Sequence, residues 1–582
     1  MRRAALLLLV GLCIASPALA AKLNVLGVYH VDANTDAQMA KASTFWVQEL
    51  ESMAASLNIQ FFWQQDRQHT NPPLIAYTQG IGSYFGRPGT TFDGLVIIGD
   101  DPSATCGNCA RFDSVSKAGK YPTIPTLFYG MKFCPTTNDS MGWLTGSISK
   151  PQPGAMSVEG TNVRLQTGNF VARGGVYNPL PDGSMTAVVT GSATDDTAYV
   201  THRAAGASIT WCQVANDSTE ARNRRALAYR FLAVLRWLRD FPAAKQPRLD
   251  IPIALMIDDG WRFHGYYRSQ HQAATSAYMD SLAERRVKWS VGVTTDSVWA
   301  YLGTELPVYD RGKDLVKFFP HTHSRDGGSF FGTYVQHANT NTVPTDLYGI
   351  IGVRPNCDAD PVGTMADTLS VYAALKTATD TLATYFGADR IDHVIAGPGD
   401  DYSPMDMGQP GQCTIDRLLD AIRHAGFVGI RINSGSSMYP PQSALTNSSY
   451  GYNSYATTYR TKHGDIRILG EVGGTFMPSG LDSVNSASWP HTATSALINS
   501  TLGLTRNSSQ AGTGPKGITP ANIIVQHHDN YKLSPAANGD VGWRVIKEIC
   551  NLMDACNYIY GSPIWRWVWS EELGPDSAPS RL

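Results

Sequence analysis

The sequence predicts an α/β protein in which a β/α barrel follows an open-sheet α/β domain and a β-rich accessory unit. Residues 21–140 alternate apolar strand-like runs with helical patterns, as in an open and mainly parallel sheet. Residues 141–245 carry short β segments separated by Gly, Asn and Asp turns. Residues 247–565 return to alternating strands and helices, the order typical of a β/α barrel. At 582 residues the chain is too long for one hydrophobic core, so several domains are expected.

The N-terminal stretch MRRAALLLLVGLCIASPALA predicts a secretory signal peptide over residues 1–20. Two arginines precede an apolar core, and Ala18-Leu19-Ala20 has the small-residue pattern of a cleavage site. No later stretch has about eighteen unbroken apolar residues, so no membrane span is expected. The mature protein is therefore expected to be secreted or periplasmic.

Cysteine usage is consistent with that compartment. The chain has nine cysteines, and Cys13 lies in the signal peptide, so eight remain after cleavage. An even number in an exported protein favours disulfide bonds, whose pairing the sequence leaves open. Cys106-Gly-Asn-Cys109 has the spacing of half a zinc site or of a redox motif, but no second CxxC accompanies it. A small local disulfide loop is the favoured interpretation.

Composition and charge narrow the class of partner. The formal net charge is −2 and charged residues make up 16% of the chain, which argues against nucleic acid and anionic membranes. Aromatic residues reach 10%, and aromatic faces stack on the C–H surfaces of sugars, although ordinary cores use the same residues. A polysaccharide is therefore a candidate substrate, and the oligomeric state is left open.

The elements before residue 246 follow from apolar periodicity. KLNVLGVYH, IQFFWQ and DGLVIIGDD predict strands, and AQMAKASTFWVQELESMAASLN predicts a helix. ARNRRALAYRFLAVLRWLRDF predicts a helix that docks on neighbouring domains, with arginines on its polar face. The proline-rich segment PAAKQPRLDIP then predicts a domain boundary. The apolar face of the docking helix comprises Leu227, Phe231, Val234, Leu235 and Leu238.

The barrel region repeats the alternation of strands and helices. Strands are predicted at IALMIDDG, VKWSVGVTT, DHVIAGPG, FVGIRI, DIRILGEV and NIIVQHH. Helices are predicted at ATSAYMDSLAERR, at DLYGIIG or TLSVYAALKTATDTLATYF, at TIDRLLDAIRHAG and at DVGWRVIKEICNLMDAC. Functional residues of such barrels lie at the carboxyl ends of the strands, so a site is expected there.

Three strand ends carry ionisable side chains, those in IALMIDDG, FFPHTHSRDGG and IIVQHHDN. Two adjacent carboxylates are unfavourable at the end of a buried strand unless a cation or a proton compensates them. One carboxylate and two imidazoles suit a divalent metal with an open position for water. A bound cation would explain the acidic pair, with one Asp as ligand and its neighbour ionised as a base. The residues are Asp258 and Asp259, His321 and His323, and His527 and His528.

Structural roles are the alternatives for these groups. Asp258 and Asp259 could cap the following segment, because Asp is a favoured N-cap residue. Asp100-Asp101 also follow a predicted strand, so paired acids are not by themselves a catalytic signal. His321 and His323 would share one strand face, and an isolated pair of this kind is commonly structural. The coincidence of three strand ends favours a catalytic site.

The order of these pieces resembles the polysaccharide deacetylase family, the NodB-homology carbohydrate esterases. Members of that family have a distorted β/α barrel and remove N- or O-acetyl groups from sugar polymers. The family's first motif, T-F-D-D-G after a strand, is similar to Ile257-Asp258-Asp259-Gly260. The resemblance implies that Asp258 is the catalytic base and that Asp259 is a metal ligand.

The second motif, H-[ST]-x-x-H, is similar to His321-Thr322-His323-Ser324-Arg325. The resemblance implies His321 as a ligand, but Arg325 occupies the position of the second histidine, and His323 is the available substitute. These imidazole and carboxylate donors suit zinc. Arg325 is either a substrate clamp or a surface residue.

The third and fifth motifs have counterparts at two later strand ends. AGPGDDY, residues 396–402, loosely resembles R-x-P-Y without its arginine. IIVQHHD resembles an apolar strand ending in L-x-H-D, which implies His528 as the catalytic acid and His527 as the alternate. Substrate-binding candidates are Trp261, Arg325, Asp400, Asp401 and Tyr402. A core role for Trp261 and a turn role for the two acids are equally good interpretations.

The resemblance covers residues 250–560, and the fourth motif has no counterpart. These departures point to a divergent relative, such as the exported deacetylases that act on galactosamine-containing exopolysaccharides. The sequence thus predicts an exported metal-dependent hydrolase that removes acetyl groups from a polysaccharide. Two alternatives stay open: a glycoside hydrolase using paired carboxylates, and a non-catalytic carbohydrate-binding protein with a degenerate deacetylase barrel. A serine esterase is not expected, because no G-x-S-x-G elbow occurs.

Overall fold

The structure of the protein, a computed structural model, is a mixed α/β arrangement with parallel sheets. In the described part of the chain, no helix has both the length and the hydropathy needed to cross a membrane. The described residues are 22–30, 47, 49–51, 53–54, 57–66, 81–84, 87–98, 124–129, 149–152, 155–158, 163–166, 170–173, 186–189, 197–204, 207–212, 227–247, 249–260, 268–294, 306–322, 354–356, 368–396, 415–432, 457–470, 497–498, 501, 523–528 and 541–573.

The N-terminal part of the chain is built around one large sheet. Its described strands are β1 Leu23–His30, β2 Ile59–Asp66, β3 Ile81–Tyr84, β4 Arg87–Thr91, β5 Gly94–Ile98, β6 Thr126–Tyr129, β7 Ser149–Gln152, β8 Ala155–Ser157, β9 Arg164–Gln166, β10 Phe170–Arg173, β11 Thr186–Val189, β12 Thr197–Ala204 and β13 Ala207–Cys212. The sheet order is β11-β12-β13-β6-β5-β1-β2. Strands β2, β1, β5, β6 and β13 run parallel, and β12 and β11 add an antiparallel edge. Three strands from the segment predicted as the accessory unit thus extend the N-terminal sheet.

Helix α1, Leu227–Leu238, packs against that sheet and against the long helix near the C-terminus. The described side chains of its apolar face are buried as the periodicity predicts, with Phe231 and Leu235 fully inaccessible. The expectation that its arginines all lie on a polar face is wrong for Arg230, which is also fully buried. The Arg230 guanidinium donates to Glu49 through Nε at 2.7 Å and Nη2 at 2.8 Å. A buried guanidinium is tolerated here because the carboxylate compensates its charge.

The C-terminal part contains two further main sheets with helices packed on their outer faces. Its helices are α2 Arg268–Glu284, α3 Val371–Phe386, α4 Ile415–His424 and α5 Val541–Tyr560. Its strands are β14 Ile251–Gly260, β15 Trp289–Thr294, β16 Val316–Thr322, β17 Arg354–Asn356, β18 Thr368–Ser370, β19 Val394–Ala396, β20 Gly429–Ile432, β21 Thr457–Thr461, β22 Gly464–Gly470, β23 Ile523–His528 and β24 Trp565–Val568.

The two sheets have the orders β16-β15-β14-β23 and β19-β20-β22-β21, and β24 pairs with the first half of β14. All neighbours run parallel except β21 and β22. A parallel bridge between Phe318 and Ile391 connects β16 to the segment that leads into β19. The strands and helices predicted for this region are therefore present, arranged as two connected parallel sheets.

The apolar part of strand β14, residues 251–257, is buried on both faces, as its unbroken apolar run predicts. Ile253, Leu255 and Ile257 belong to the large core that includes the outer helices. Ala254 and Met256 face the opposite way, into an apolar cluster shared by both sheets. This inner cluster comprises Ala254, Met256, Phe319, Val394, Leu469, Ile524, Val568 and Leu573. The inner faces of the two sheets therefore pack on each other.

The amino ends of these strands are covered by residues 565–573, which we term the C-terminal clasp. Its strand β24 pairs with Ile251–Ala254, and Val568 and Leu573 enter the inner cluster. Arg467 of β22 donates to the backbone carbonyls of Glu571 and Leu573. The clasp thereby joins strands of both sheets at one end of the inner cluster.

Two cysteines of α5 are free thiols. Cys550 and Cys556 are both buried and form no disulfide bond. Burial raises the pKa of Cys550 to about 12, so this thiol stays protonated at neutral pH. The expected disulfides therefore do not include these two cysteines, and the side chains of the other cysteines lie outside the described residues.

Candidate functional site

The carboxyl ends of β14, β16 and β23 lie at one edge of the same parallel sheet. Strand β23 is the direct neighbour of β14, and the Cα atom of Asp258 aligns with that of His528, as Ile257 does with His527. Strand β15 lies between β14 and β16. The fold therefore brings the backbone positions of the three predicted groups to the same edge.

The acidic pair lies inside β14, within the strand that the run IALMIDDG predicts. The strand continues through Asp258 and Asp259 to Gly260, and helix α2 begins only at Arg268. The pair therefore does not cap α2. The segment that directly follows the pair, residues 261–267, lies outside the described residues. Pairing with β23 reaches Asp258 and pairing with β15 reaches Gly260, so these two ladders keep both acids within the strand.

The pairing of β14 with β15 is irregular at the acidic pair. Its register shifts between Ile257 and Gly260, so that Asp258 and Asp259 together lie opposite the single residue Gly292. An extra residue in one strand suspends the strict alternation of side chains and re-aims them locally. Two neighbouring acids at such a position need not project to opposite faces of the sheet.

A second irregularity in the same sheet falls at His321. Val293 of β15 aligns with Pro320 of β16, but the next residue, Thr294, aligns with Thr322, which leaves His321 as the extra residue. The other ladders between described strands of the two sheets keep a regular register. Irregular pairing is over-represented next to active sites, because it allows side chains to depart from the pleat.

The predicted roles of the individual residues remain predictions. Among the described side chains, no group of three His, Cys, Asp or Glu residues is arranged to hold a metal ion. The backbone is described but the side chains are not for Asp258, Asp259, His321, His527 and His528. Outside the described residues lie Trp261, His323, Arg325, Asp400, Asp401 and Tyr402.

One charged residue on the inner face was missed by the sequence analysis. Arg431 of β20 is only 3% exposed. It aligns with Leu469 of β22, a member of the inner cluster, and lies two residues beyond Gly429. A Cβ atom on Gly429 would lie 3.1 Å from Cγ2 of Val394, so that position faces the inner cluster. The signal in the sequence was the single charge within the apolar run FVGIRI.

Ionisable residues also meet at the amino end of the strands, where they form a closed network. Glu571 of the clasp accepts from Lys317 and contacts Nδ1 of His393 at 2.9 Å. Asp392 accepts from the hydroxyl groups of Ser290 and Ser570. Each of these acids has its partners within the protein, so this group is structural.

The same partners explain the acidity of the two carboxyl groups. Burial opposes ionisation of Glu571, but the contacts with His393 and Lys317 outweigh it and lower its pKa to about 2. Burial and the charge of Glu571 raise the pKa of Asp392, against the hydrogen bonds from Ser290 and Ser570. The amino end therefore holds one strongly ionised carboxylate beside one that resists ionisation.

Comparison with known proteins gives structural likenesses that include the following two. No protein-family model and no curated protein sequence matches the chain at a significant level. The chain is similar to the crystal structure of Agd3, described as a novel carbohydrate deacetylase, with a TM-score of 0.45, 10% identity, and coverage of 96% of this chain and 87% of that one. It is also similar to 4-alpha-glucanotransferase from Thermococcus litoralis, with a TM-score of 0.31, 11% identity, and coverage of 56% and 40%. Both TM-scores lie below 0.5.

Proposed function

We propose that the protein is an exported, metal-dependent hydrolase that removes acetyl groups from a polysaccharide. One observation carries this proposal: the two register shifts of the β14–β15–β16 sheet coincide with Asp258-Asp259 and with His321. The sequence motifs single out the same residues without reference to strand pairing. Two independent features therefore favour one site at the carboxyl edge of the sheet.

We further propose that the two C-terminal sheets are parts of one distorted barrel. The shared inner cluster and the bridge between Phe318 and Ile391 support this arrangement. The clasp covers the amino ends of the strands, so a polymer would approach from the carboxyl ends. That is the end at which β/α barrels place their catalytic residues.

The donor set fits a divalent metal ion. Asp259, His321 and His323 would hold it, since carboxylate and imidazole ligands suit zinc and leave positions for water and substrate. When bound, such an ion supplies Lewis acidity and lowers the pKa of water to roughly 7. The positions of Asp259 and His321 at one sheet edge support this assignment.

The protein's own groups would carry the proton transfers. Asp258 accepts the proton of the attacking water, and His528, its direct neighbour across the strand pair, protonates the departing amine or alcohol. His527 is the alternate acid. Substrate contacts are assigned to the strand-end segments after β14, β16 and β19, at Trp261, Arg325, Asp400, Asp401 and Tyr402.

Acetate release from a panel of acetylated polysaccharides, galactosamine-containing polymers included, tests the proposal. We expect release that a chelator abolishes and that one divalent ion per chain restores. His321→Ala should lose both metal and activity, whereas the matched control His393→Ala, at the amino end of the strands, should keep both. Release of new reducing ends without chelator sensitivity would support the glycoside hydrolase instead. Sugar binding without any reaction would support the carbohydrate-binding protein.

A further inference from the structure

Asp392 is a fully buried acid whose described hydrogen-bond partners are all neutral. Its side chain is 0% exposed, and it directly precedes the strand β19 region. Its Oδ2 atom meets the hydroxyl groups of Ser290 and Ser570, and Oδ1 accepts from the backbone N–H of Val394 at 3.0 Å. Taking a carboxylate out of water is costly unless a cation or a proton compensates its charge.

The cations on the elements around Asp392 are engaged by other groups. A proton from solvent is therefore the charge available to compensate its carboxylate. The engaged cations are Lys317 and His393 with Glu571, Lys288 with Glu572, Arg390 with Asp310, and Arg467 with the backbone carbonyls of Glu571 and Leu573.

Asp392 lies at the point where the clasp is attached to the rest of the protein. Two neighbouring residues of the clasp face two neighbouring residues before β19. Ser570 meets Asp392 at 2.6 Å, and Glu571 accepts from the backbone N–H of His393 at 3.1 Å. Ser570 is as inaccessible as Asp392. The clasp therefore covers the acid that it contacts, and it brings the negative charge of Glu571 close to that acid.

We propose that Asp392 and Ser570 form a proton-controlled latch, in which uptake of one proton by Asp392 fastens the clasp over the amino ends of the strands. In the fastened state the protonated carboxyl group donates to one serine hydroxyl and accepts from the other, because a hydroxyl group can do either. Return of the proton to solvent leaves a buried anion beside ionised Glu571, and opening of the clasp exposes that anion to water. The latch does not depend on the proposed function.

The direction of the pH dependence follows from the two proton affinities of Asp392. Burial and the charge of Glu571 raise its pKa when the clasp is closed. A raised pKa stabilises the closed state fully below the ordinary pKa of the group, and this stabilisation is lost as pH rises through the raised value. The clasp should therefore be tighter in mild acid than at neutral pH. One proton changes the closing equilibrium by at most about tenfold per pH unit.

Hydrogen exchange of the full-length protein, followed by mass spectrometry between pH 8 and pH 4, tests the latch. Protection of residues 565–573 is measured relative to residues 23–30 of β1, which cancels the chemical pH dependence of exchange. In the wild-type protein this relative protection should increase as pH falls, by up to about tenfold per unit. Asp392→Asn keeps the shape of the side chain but cannot take up the proton, so its relative protection should not change with pH.

His393→Gln provides the matched control, because His393 also contacts the clasp and can also gain a proton in acid. This variant should keep the increase in protection that Asp392→Asn loses. If His393→Gln lost the increase and Asp392→Asn kept it, His393 would control the clasp and the proposal would be overturned. A wild-type clasp that is no better protected in acid than at neutral pH would overturn it as well.

Two further measurements follow the proton itself. The infrared band of a protonated carboxyl group should be present in the wild-type protein in mild acid and weaker in Asp392→Asn. Glu571→Gln removes the neighbouring negative charge, so the increase in clasp protection should move to lower pH. This variant decides the matter if Asp392→Asn does not fold, since an unshifted pH dependence in Glu571→Gln would contradict the latch.

Discussion

The two ends of the parallel strands differ in the regularity of strand pairing and in the surroundings of their ionisable residues. At the amino end, β14 pairs with β24 in regular register, and Glu571 and Asp392 have partners within the protein. At the carboxyl end, the register shifts at Asp258-Asp259 and again at His321. Both ends are rich in ionisable residues, so charge alone does not distinguish a site from a structural network.

The comparison shows what does distinguish them. In a structural network, the acids have hydrogen-bond partners within the protein, which stabilises the fold. Such a network does not require irregular strand pairing. A site must keep acids available for a ligand or substrate, and irregular strand pairing is one way to aim them. Substitutions at the carboxyl end should therefore change activity, and those at the amino end should change stability.

The largest effect is expected at Asp258. Asp258→Asn keeps the shape of the side chain but removes the proton acceptor, so kcat should fall by ~10²–10⁴-fold. Metal should stay bound, as measured by elemental analysis of the purified variant. Loss of metal together with activity would mean that Asp258 and Asp259 have exchanged roles.

A smaller and more selective effect is expected at His528. An amide must expel an amine, which is a poor leaving group unless protonated, and His has an unperturbed pKa of about 6.5. His528→Ala should slow amide hydrolysis strongly but slow an activated aryl acetate much less, in parallel assays. If His527→Ala showed this pattern instead, His527 would be the acid.

At the amino end, Glu571→Gln should cost stability rather than activity. The variant removes the charge that faces Lys317 and His393, with an expected loss of about 2 kcal/mol in unfolding free energy at pH 7. The pKa of Glu571 is lowered in the folded state, to about 2, so its contribution is present above the ordinary pKa of the group and is lost as pH falls towards 2. Urea unfolding between pH 5 and pH 2 measures this contribution to the free energy of unfolding. The wild-type protein should lose more stability over this range than the variant. An equal decline of the unfolding free energy in both proteins would contradict the stabilising role of ionised Glu571.

The smallest effect is expected at an exposed ion pair that also involves the C-terminal clasp. Arg566 of β24 meets Asp250 at 2.9 Å, but the two side chains are 47% and 63% exposed. Arg566→Ala should change the unfolding free energy by less than about 1 kcal/mol, because solvent screens such pairs. If Arg566→Ala lost as much unfolding free energy as Glu571→Gln, the position of a residue in the clasp, rather than its burial, would determine how much stability its substitution removes.

Local patterns predicted many of the described helices and strands, but they did not predict which charged side chains are buried. The apolar period placed Phe231 and Leu235 on the buried face of α1, and both are inaccessible. It also placed Arg230 on a polar face, because the periodicity of one helix contains no information about Glu49, 181 residues away in sequence. Arg431 was overlooked for the same reason, since its burial depends on strands β19 and β22.

The sequence by itself determined many of the described strands and helices, although not β21 or β24, and it determined which strand ends carry acids and histidines. Both follow from interactions between residues close in the chain, namely the period of apolar side chains and the composition of the strand ends. Only the tertiary structure decided that the register between β14 and β15 shifts at the two acids, that the register between β15 and β16 shifts at His321, and that Arg431 is buried. Register and burial depend on which strands become neighbours, and pairing between distant segments is set by the packing of the whole core rather than by any local pattern.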